Sequence, residues 1–172
     1  MQVSKLKGKS VITVPEGENI GTVEDVLLRP VEQRLGALVV KLPRFAGPQI
    51  LLAEDVSRID GDAVAIRSAE KLQDQARFGD SDHMESFGEA LGRKVATASG
   101  NSVGELSDVQ IDPTTGKITG YEVTSGVLER IFGPSRTIES SGSTRLGKDL
   151  LIVPDEAIPA QSEGEAPPPA QM

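Results

Sequence analysis

Short stretches in which apolar and polar residues alternate recur along most of the chain. Apolar residues stand at 20, 23, 26 and 28, and again at 103, 106, 109 and 111. This spacing is typical of strands with one buried face. Turns are predicted where Pro and Gly fall, as in DPTTGK (112–117), whose late glycine suits a tight hairpin. The pattern predicts a mostly β protein with little helix.

This strand pattern occurs twice in the chain, and residues 6–67 align with residues 91–154. A match that runs through a whole unit indicates an internal duplication. Six short strands in each unit favour a small closed barrel, since closure leaves no long exposed edges. The clearest matches are GTVEDV (21–26) with GELSDV (104–109), LLAEDVSRIDGDAVAI (51–66) with IESSGSTRLGKDLLIV (138–153), and Gly36 with Gly120 after one extra turn residue.

Composition limits what such units can do. Hydrophobic residues make up 37% of the chain but aromatic residues only 3%, so Val, Ile and Leu must build the cores, which suits sheets better than large ligand pockets. The absence of cysteine excludes disulfides and thiolate metal sites. No apolar run approaches the roughly 18 residues needed to cross a bilayer, and the first residues lack the apolar core of a secretory signal. We therefore expect a cytoplasmic location.

The acidic charge is unevenly distributed. The chain has a formal net charge of -8, and most of the excess lies outside the two repeats. Neither repeat carries the basic face that phosphate neutralisation requires, so no nucleic-acid partner is expected. Residues 68–90 are predicted to form a short helical turn followed by an acidic linker. The Pro-rich residues 159–172 are predicted to be disordered.

Two motifs resemble catalytic elements but fail as such. TTGK has Ile111 where a phosphate-binding loop needs its first glycine and Ile118 where it needs Ser or Thr. Asp25 and Asp108 occupy equivalent positions and could be paired carboxylates for acid–base work. Duplication, however, puts one in each unit, which favours structural acids that accept backbone or hydroxyl hydrogen bonds.

The single histidine, His83, stands among acidic residues. With Asp80, Asp82 and Glu85 it could hold a divalent cation weakly. An acidic linker explains the same residues with nothing added, so we favour that interpretation. The sequence therefore predicts no catalytic residue, no metal site and no cofactor, and we expect that the protein is not an enzyme.

The order of these motifs resembles the PRC-barrel domain family. Each repeat has a Gly-x-Val/Leu-x-Asp stretch, a glycine that re-enters a strand and a closing Asp-x-x-x-Ile/Val hairpin. The family includes the cytoplasmic domain of the photosynthetic reaction-centre H subunit and the C-terminal domain of the ribosome maturation factor RimM. The residues that carry the resemblance, and that we expect to be structural, are Gly21, Asp25, Gly36, Gly104, Asp108 and Gly120.

The resemblance implies an all-β fold class, two small PRC-type β-barrels in tandem joined by a short helical and acidic linker. It also implies a habit of protein contacts and no shared catalytic residue. The expected divisions are repeat 1 at 1–67, linker at 68–90, repeat 2 at 91–158 and tail at 159–172.

Two loops at equivalent places are the candidates for partner binding. KLPRFAGPQI (41–50) and GVLERIFGPSRTI (126–138) each carry a Phe shortly before Gly-Pro and an Arg nearby. These residues either plug a barrel end or the seam between repeats, or they face a partner. The second loop has more apolar surface than a short loop normally exposes, which favours the partner. The residues concerned are Arg44, Phe45, Val127, Leu128, Ile131 and Phe132.

The predicted function is a non-enzymatic protein-binding or scaffolding module whose protein partner the sequence does not identify. One alternative is a ribosome-maturation or RNA-processing accessory role that resembles RimM, although the N-terminal domain of that factor has no counterpart here. The other is an accessory subunit of a photosynthetic or membrane complex, for which a transmembrane segment is missing. The sequence leaves a homodimer open.

Overall fold

A computed structural model describes residues 1–44, 47–79, 83–125 and 134–157, which form two β-sheets. Each sheet takes its six main strands from one repeat. The strands of the first repeat are β1 (Ser10–Thr13), β2 (Glu18–Arg29), β3 (Arg34–Lys41), β4 (Gln49–Leu52), β5 (Val56–Asp60) and β6 (Ala63–Ile66). A connecting segment adds β7 (Gln73–Asp74), β8 (Glu85–Ser86) and helix α1 (Phe87–Ala90). The strands of the second repeat are β9 (Lys94–Thr97), β10 (Ser102–Ile111), β11 (Ile118–Thr124), β12 (Arg136–Glu139), β13 (Arg145–Leu146) and β14 (Leu150–Val153).

The two sheets have the same strand order. It is β5-β6-β1-β2-β3-β4 in the first and β13-β14-β9-β10-β11-β12 in the second. In both, the first and last strands of the repeat pair in parallel, β1 with β6 and β9 with β14. This shared topology confirms the predicted fold class of two all-β units in tandem.

Hydrogen bonding among the described strands does not close either sheet into a full barrel. In the first unit β5 stands at one end of the path and β4, followed by β7, lies at the other, and a single 3-10 turn at Ala53–Asp55 connects β4 to β5. The backbone of that turn is not extended and cannot continue the ladder. Apolar side chains fill the interior beside the gap, since Val56 and Ile59 pack against the main core. The small β-barrel expected from the sequence is therefore present as a half-barrel, with a gap in its hydrogen bonding.

The long hairpins β2–β3 and β10–β11 form the centre of each unit. Pairing joins Leu28 to Leu35 in the first hairpin and Ile111 to Ile118 in the second. The same number of residues therefore connects the paired positions in both hairpins, and no extra turn residue separates the repeats.

The registers also correct the expected match between Gly36 and Gly120. Both hairpins have a register shift at the same place, after Leu27 in the first and after Gln110 in the second. Gly36 is the unpaired residue at the first shift, and its structural equivalent at the second is Thr119. The alignment was wrong by one residue because identical glycines were matched, whereas strand pairing decides which positions correspond.

One hydrophobic core extends through both units. It includes Leu38 and Leu51 of the first unit, Leu106 and Tyr121 of the second, and Phe87 of α1, all of them fully buried. Phe87 falls in the stretch predicted to be a linker, so the connecting segment contributes to the core. Burial of a Phe side chain stabilises by about 1.5–3 kcal/mol, which anchors this end of the segment.

The helical part of the predicted linker is not confirmed. The described residues between 68 and 90 form isolated 3-10 turns at Ala69–Lys71 and Gln75–Arg77, and α1 has only 4 residues. Between the two turns, β7 adds to the edge of β4. Helix formation is interrupted there because the backbone pairs with the sheet instead.

Candidate functional site

Each unit begins with a segment that packs on the other unit. Near the start of the chain, Gln2 pairs with Gln110 on β10 of the second unit. At the start of the second unit, β8 pairs with β2 of the first. Each unit thus receives a segment that precedes the other unit, and we call the contact region between the two units the seam. Both sides of the seam are built in the same way.

Asp108 holds the first exchanged segment. Its carboxylate is 6% exposed and accepts hydrogen bonds from the backbone N–H of Ser4 at 3.1 Å, from the Ser4 hydroxyl, and from the backbone N–H of Val109 at 2.8 Å. Hydrogen bonds to an ionised acceptor are stronger than neutral ones. The carboxylate is engaged by donors of the chain itself.

Asp25 holds the second exchanged segment in the same manner. It accepts hydrogen bonds from the Ser86 hydroxyl at 2.5 Å, from the backbone N–H of Gly88 at 3.2 Å and from that of Val26 at 2.8 Å. The two equivalent aspartates therefore serve as acceptors across the seam. Neither serine was predicted to make this contact, because a serine near a strand gives no signal about a partner so distant in the chain.

Gln33, at the tip of the first hairpin, makes a third set of contacts across the seam. Its φ is 53, and it is the non-glycine residue with positive φ in the described part of the chain. Its backbone carbonyl accepts from the Ile118 N–H at 2.9 Å. Its side-chain oxygen accepts from the Tyr121 hydroxyl at 2.7 Å and from the Ser140 hydroxyl at 2.8 Å. The hairpin tip is thereby bonded to β11 and to the turn after β12.

Burial at this seam changes the acidity of Tyr121, raising its pKa from 10.0 to about 12. A raised pKa means that the folded state favours the protonated phenol, a contribution fully present below pH 10 and lost as the pH rises toward 12. Two pKa units correspond to about 2.7 kcal/mol. We therefore expect the unfolding free energy to fall by about 2–3 kcal/mol between about pH 9 and about pH 12 through this group.

The chain offers a direct readout and a control for this prediction. Tyr121 is its single tyrosine and there is no tryptophan, so tyrosinate absorbance reports this side chain alone. Tyr121→Phe keeps the ring and should remove this part of the alkaline loss in urea melts. A Tyr121 that titrates near pH 10 in the folded protein would contradict the prediction.

Glu122 is a buried carboxylate that the sequence analysis missed. It is 8% exposed and accepts from the side-chain amides of Gln2 at 2.8 Å and Gln110 at 2.7 Å and from the Ser135 hydroxyl at 3.2 Å. The strand registers make it equivalent to Val39 in the first unit. A charged residue at a position where the repeat has valine is the signal that could have found it.

The outer faces of the two sheets consequently differ. In the first unit, residues on this face form a small apolar cluster, which Phe78 and Met84 of the connecting segment cover. In the second unit the equivalent face carries Glu122 and Thr137. The duplication has kept the strand order but not the chemistry of this face.

Two of the predicted structural glycines allow neighbouring strands to approach closely. A Cβ atom on Gly21 would lie 2.5 Å from the carbonyl oxygen of Lys41, and one on Gly104 would overlap the carbonyl oxygen of Thr124. Gly104 also has a φ of +152, a region that residues with side chains rarely adopt. Gly36 and Gly120 are buried in their strands.

Most of the predicted partner-binding residues lie outside the described residues. Arg44 is described and is exposed, as is Pro43 before it. On the second loop the described stem, residues 134–137, is exposed. The residues outside the described ranges are Phe45, Val127, Leu128, Ile131 and Phe132.

The acidic segment around His83 is described only in part. His83 is exposed, whereas Asp80 and Asp82 lie outside the described residues. Within the described ranges no group of three or more His, Cys, Asp or Glu side chains is placed to hold a metal ion.

Two open clefts lie beside the end of β4 in the first unit and the end of β12 in the second, and the rest of their linings comes from different parts of the units. The cleft of the first unit has a volume of about 440 Å³ and charged lining of both signs, and Arg34 there donates to the Thr115 carbonyl at 3.3 Å. The cleft of the second unit has a volume of about 320 Å³, and the charged residues that line it are Glu139 and Glu156. The two clefts therefore differ in electrostatic character.

Comparison with known proteins agrees with this architecture. The family model of the PRC-barrel domain matches residues 1–73 and again residues 82–157. A search among curated proteins finds no significant match. In the described part of the chain, no helix is both long enough and apolar enough to cross a membrane. Because the two matched segments cover most of the chain and each contains the six main strands of one sheet, the chain belongs to the PRC-barrel family and carries two PRC-barrel domains in tandem.

Proposed function

We propose that this tandem PRC-barrel chain is a non-enzymatic protein-binding or scaffolding module. The proposal rests on the hydrogen-bond partners of the buried carboxylates. Asp108 and Glu122 are the buried acids among the described residues, and each accepts hydrogen bonds from the chain itself. A general acid or base must reach a substrate proton, whereas these groups hold the two units together.

The seam supports a scaffolding role. Reciprocal exchange and a shared core give the two units a fixed relation, so surfaces on both can contact one partner at the same time. A preformed surface loses less conformational entropy on binding than one that must first become ordered.

The two Phe loops remain our proposed contact sites. Arg44 on the first loop and Arg136 on the second are exposed. Arginine and aromatic side chains are enriched among the residues that dominate binding energy in protein interfaces. A Phe and an Arg in each loop would supply such anchors twice.

Truncation of Phe132 tests the proposal. A Phe in a packed core costs about 3–5 kcal/mol of unfolding free energy when cut to alanine, whereas a surface anchor costs less than about 0.5 kcal/mol. We expect the second result for Phe132→Ala, together with a loss of partner affinity of about ten- to thirtyfold. Urea melts measure the first quantity, and affinity capture followed by quantitative mass spectrometry and titration measures the second.

Val31→Ala provides the control, because Val31 is an apolar residue that is 86% exposed and lies in the turn between β2 and β3. It should leave both stability and capture unchanged. A large drop in the urea midpoint of Phe132→Ala at constant slope would place the ring in the core instead. Capture of a ribosomal subunit would favour the RimM-like alternative over the scaffold.

A further inference from the structure

We propose that the outer edge of β12, with the cleft beside it, binds an extended basic segment of a partner protein, which adds to the sheet as a further strand. This inference rests on the proposed function and names a site and a partner chemistry for it. It is independent of the Phe loops.

The two units differ at this edge. In the first unit the edge strand β4 is paired by β7, through Gln49 with Asp74 and Ile50 with Gln73. In the second unit β12 ends the path of the sheet, and no strand in the described part of the chain pairs with its outer side. An unpaired edge presents free N–H and C=O groups, which are a template for another strand.

Burial shows the same difference. Ile50 of β4 is 0% exposed beneath the connecting segment. The registers make Thr137 of β12 its equivalent, and Thr137 is exposed. The first unit thus shows that this edge accepts an added strand, and in the second unit the same position faces the cleft.

The charge of the cleft determines which kind of strand fits. Its two charged lining residues, Glu139 and Glu156, are both acidic and both exposed. Alternate side chains of an added strand would point into the cleft. Lysine or arginine at those positions would meet opposite charge, and glutamate would meet like charge.

Charge also argues against the chain's own C-terminal residues as the occupant. Ala157 lines the cleft, and the residues after it carry acidic side chains, Glu163 and Glu165, and no basic one. Pro159 lacks the N–H that a paired strand must donate. A separate protein segment with basic residues fits better.

A synthetic peptide of about eight residues that alternates valine with lysine is the probe, long enough to cover a strand of ordinary length. Fluorescence anisotropy should show saturable binding to the full chain, and the amide resonances of Arg136–Glu139 should shift on addition. A peptide with glutamate in place of lysine should bind at least about tenfold more weakly. The lysine peptide with alternate backbone nitrogens methylated cannot pair with a strand and should also lose binding.

Charge reversal in the protein completes the test. Glu139→Lys/Glu156→Lys should weaken binding of the lysine peptide by at least about tenfold, while Glu16→Lys/Glu18→Lys, an equal change of charge on exposed residues of the first unit, should not. Equal binding of the methylated peptide, or equal loss in both double variants, would overturn the site. If the lysine peptide bound much more tightly to a chain truncated after Ala160, the chain's own C-terminal residues would be the occupant of the site, and the proposal of a partner segment would be overturned. If the peptide fails while Phe132→Ala still loses its captured partner, this site is refuted and the proposed function stands.

Discussion

Replacement of Gly104 with alanine is expected to lower the free energy of unfolding by about 3–5 kcal/mol, since two costs add. The φ of +152 is a conformation in which a residue with a side chain is strained by about 1–3 kcal/mol. The new methyl group would also overlap the Thr124 carbonyl oxygen, and overpacking typically costs about 1–3 kcal/mol. The backbone of the paired strand cannot give way as a flexible side chain would.

The duplication supplies a graded comparison. Gly21→Ala meets a similar clash, 2.5 Å from the Lys41 carbonyl oxygen, but at a backbone conformation for which no positive φ is recorded. It should therefore cost about 1–3 kcal/mol, the overpacking cost alone. Gly142→Ala is the control, because nothing lies within 4 Å of its added Cβ, and it should change stability by less than about 0.5 kcal/mol.

Urea unfolding followed by circular dichroism measures all three variants. A small domain has about 5–15 kcal/mol of stability in total, so Gly104→Ala should shift the midpoint strongly or leave the second unit unfolded at room temperature. Equal costs for Gly104→Ala and Gly142→Ala would show that the strands can separate locally at little cost, and would contradict the close approach.

The sequence indicates Gly21 and Gly104 as a repeated feature but could not show what they do. Gly21 and Gly104 stand out because both begin the same motif. Only the structure brings the carbonyl groups of Lys41 and Thr124 against them, since those residues lie in the following strand. The alternation of apolar residues was enough for the all-β fold, because period-2 burial is a local property of the chain.

The exchanged segments could not have been predicted by the same means. Phe87 lies in a stretch with acidic and flexible composition, so composition placed it in a linker, yet it is fully buried. Which unit a segment packs against depends on contacts between residues far apart in the chain, such as Ser4 with Asp108. A single sequence holds no signal for such pairs when the residues are as common as serine and aspartate.

The second large loss of stability is expected when the hydrogen bonds to Asp108 are removed. Asp108→Ala is expected to lower the free energy of unfolding by about 3 kcal/mol, because the backbone N–H groups of Ser4 and Val109 and the Ser4 hydroxyl lose their acceptor together. Each buried donor left without a partner costs about 1–3 kcal/mol, with water recovering part where it enters. Ser4→Ala removes one of the three donors and should cost about 1 kcal/mol.

The double variant Asp108→Ala/Ser4→Ala tests whether the two residues are energetically coupled. If the aspartate stabilises the protein by holding the exchanged segment, the double variant should cost less than the sum of the single variants by about 1 kcal/mol, as expected for residues in contact. Additive costs would mean that the Ser4 hydroxyl does not stabilise the protein through Asp108, which leaves the backbone N–H groups of Ser4 and Val109 as its partners.

Asp25→Ala tests whether the two sides of the seam contribute equally to the free energy of unfolding. Asp25 accepts a matching set of donors from Ser86, Gly88 and Val26, but it is less buried than Asp108. Water can replace a lost acceptor more readily at a half-exposed site, so the cost should be about 1–2 kcal/mol. A cost that equals or exceeds that of Asp108→Ala would mean that the segment Ser86–Ala90, which carries the buried Phe87, contributes more to holding the units together than the segment at the start of the chain.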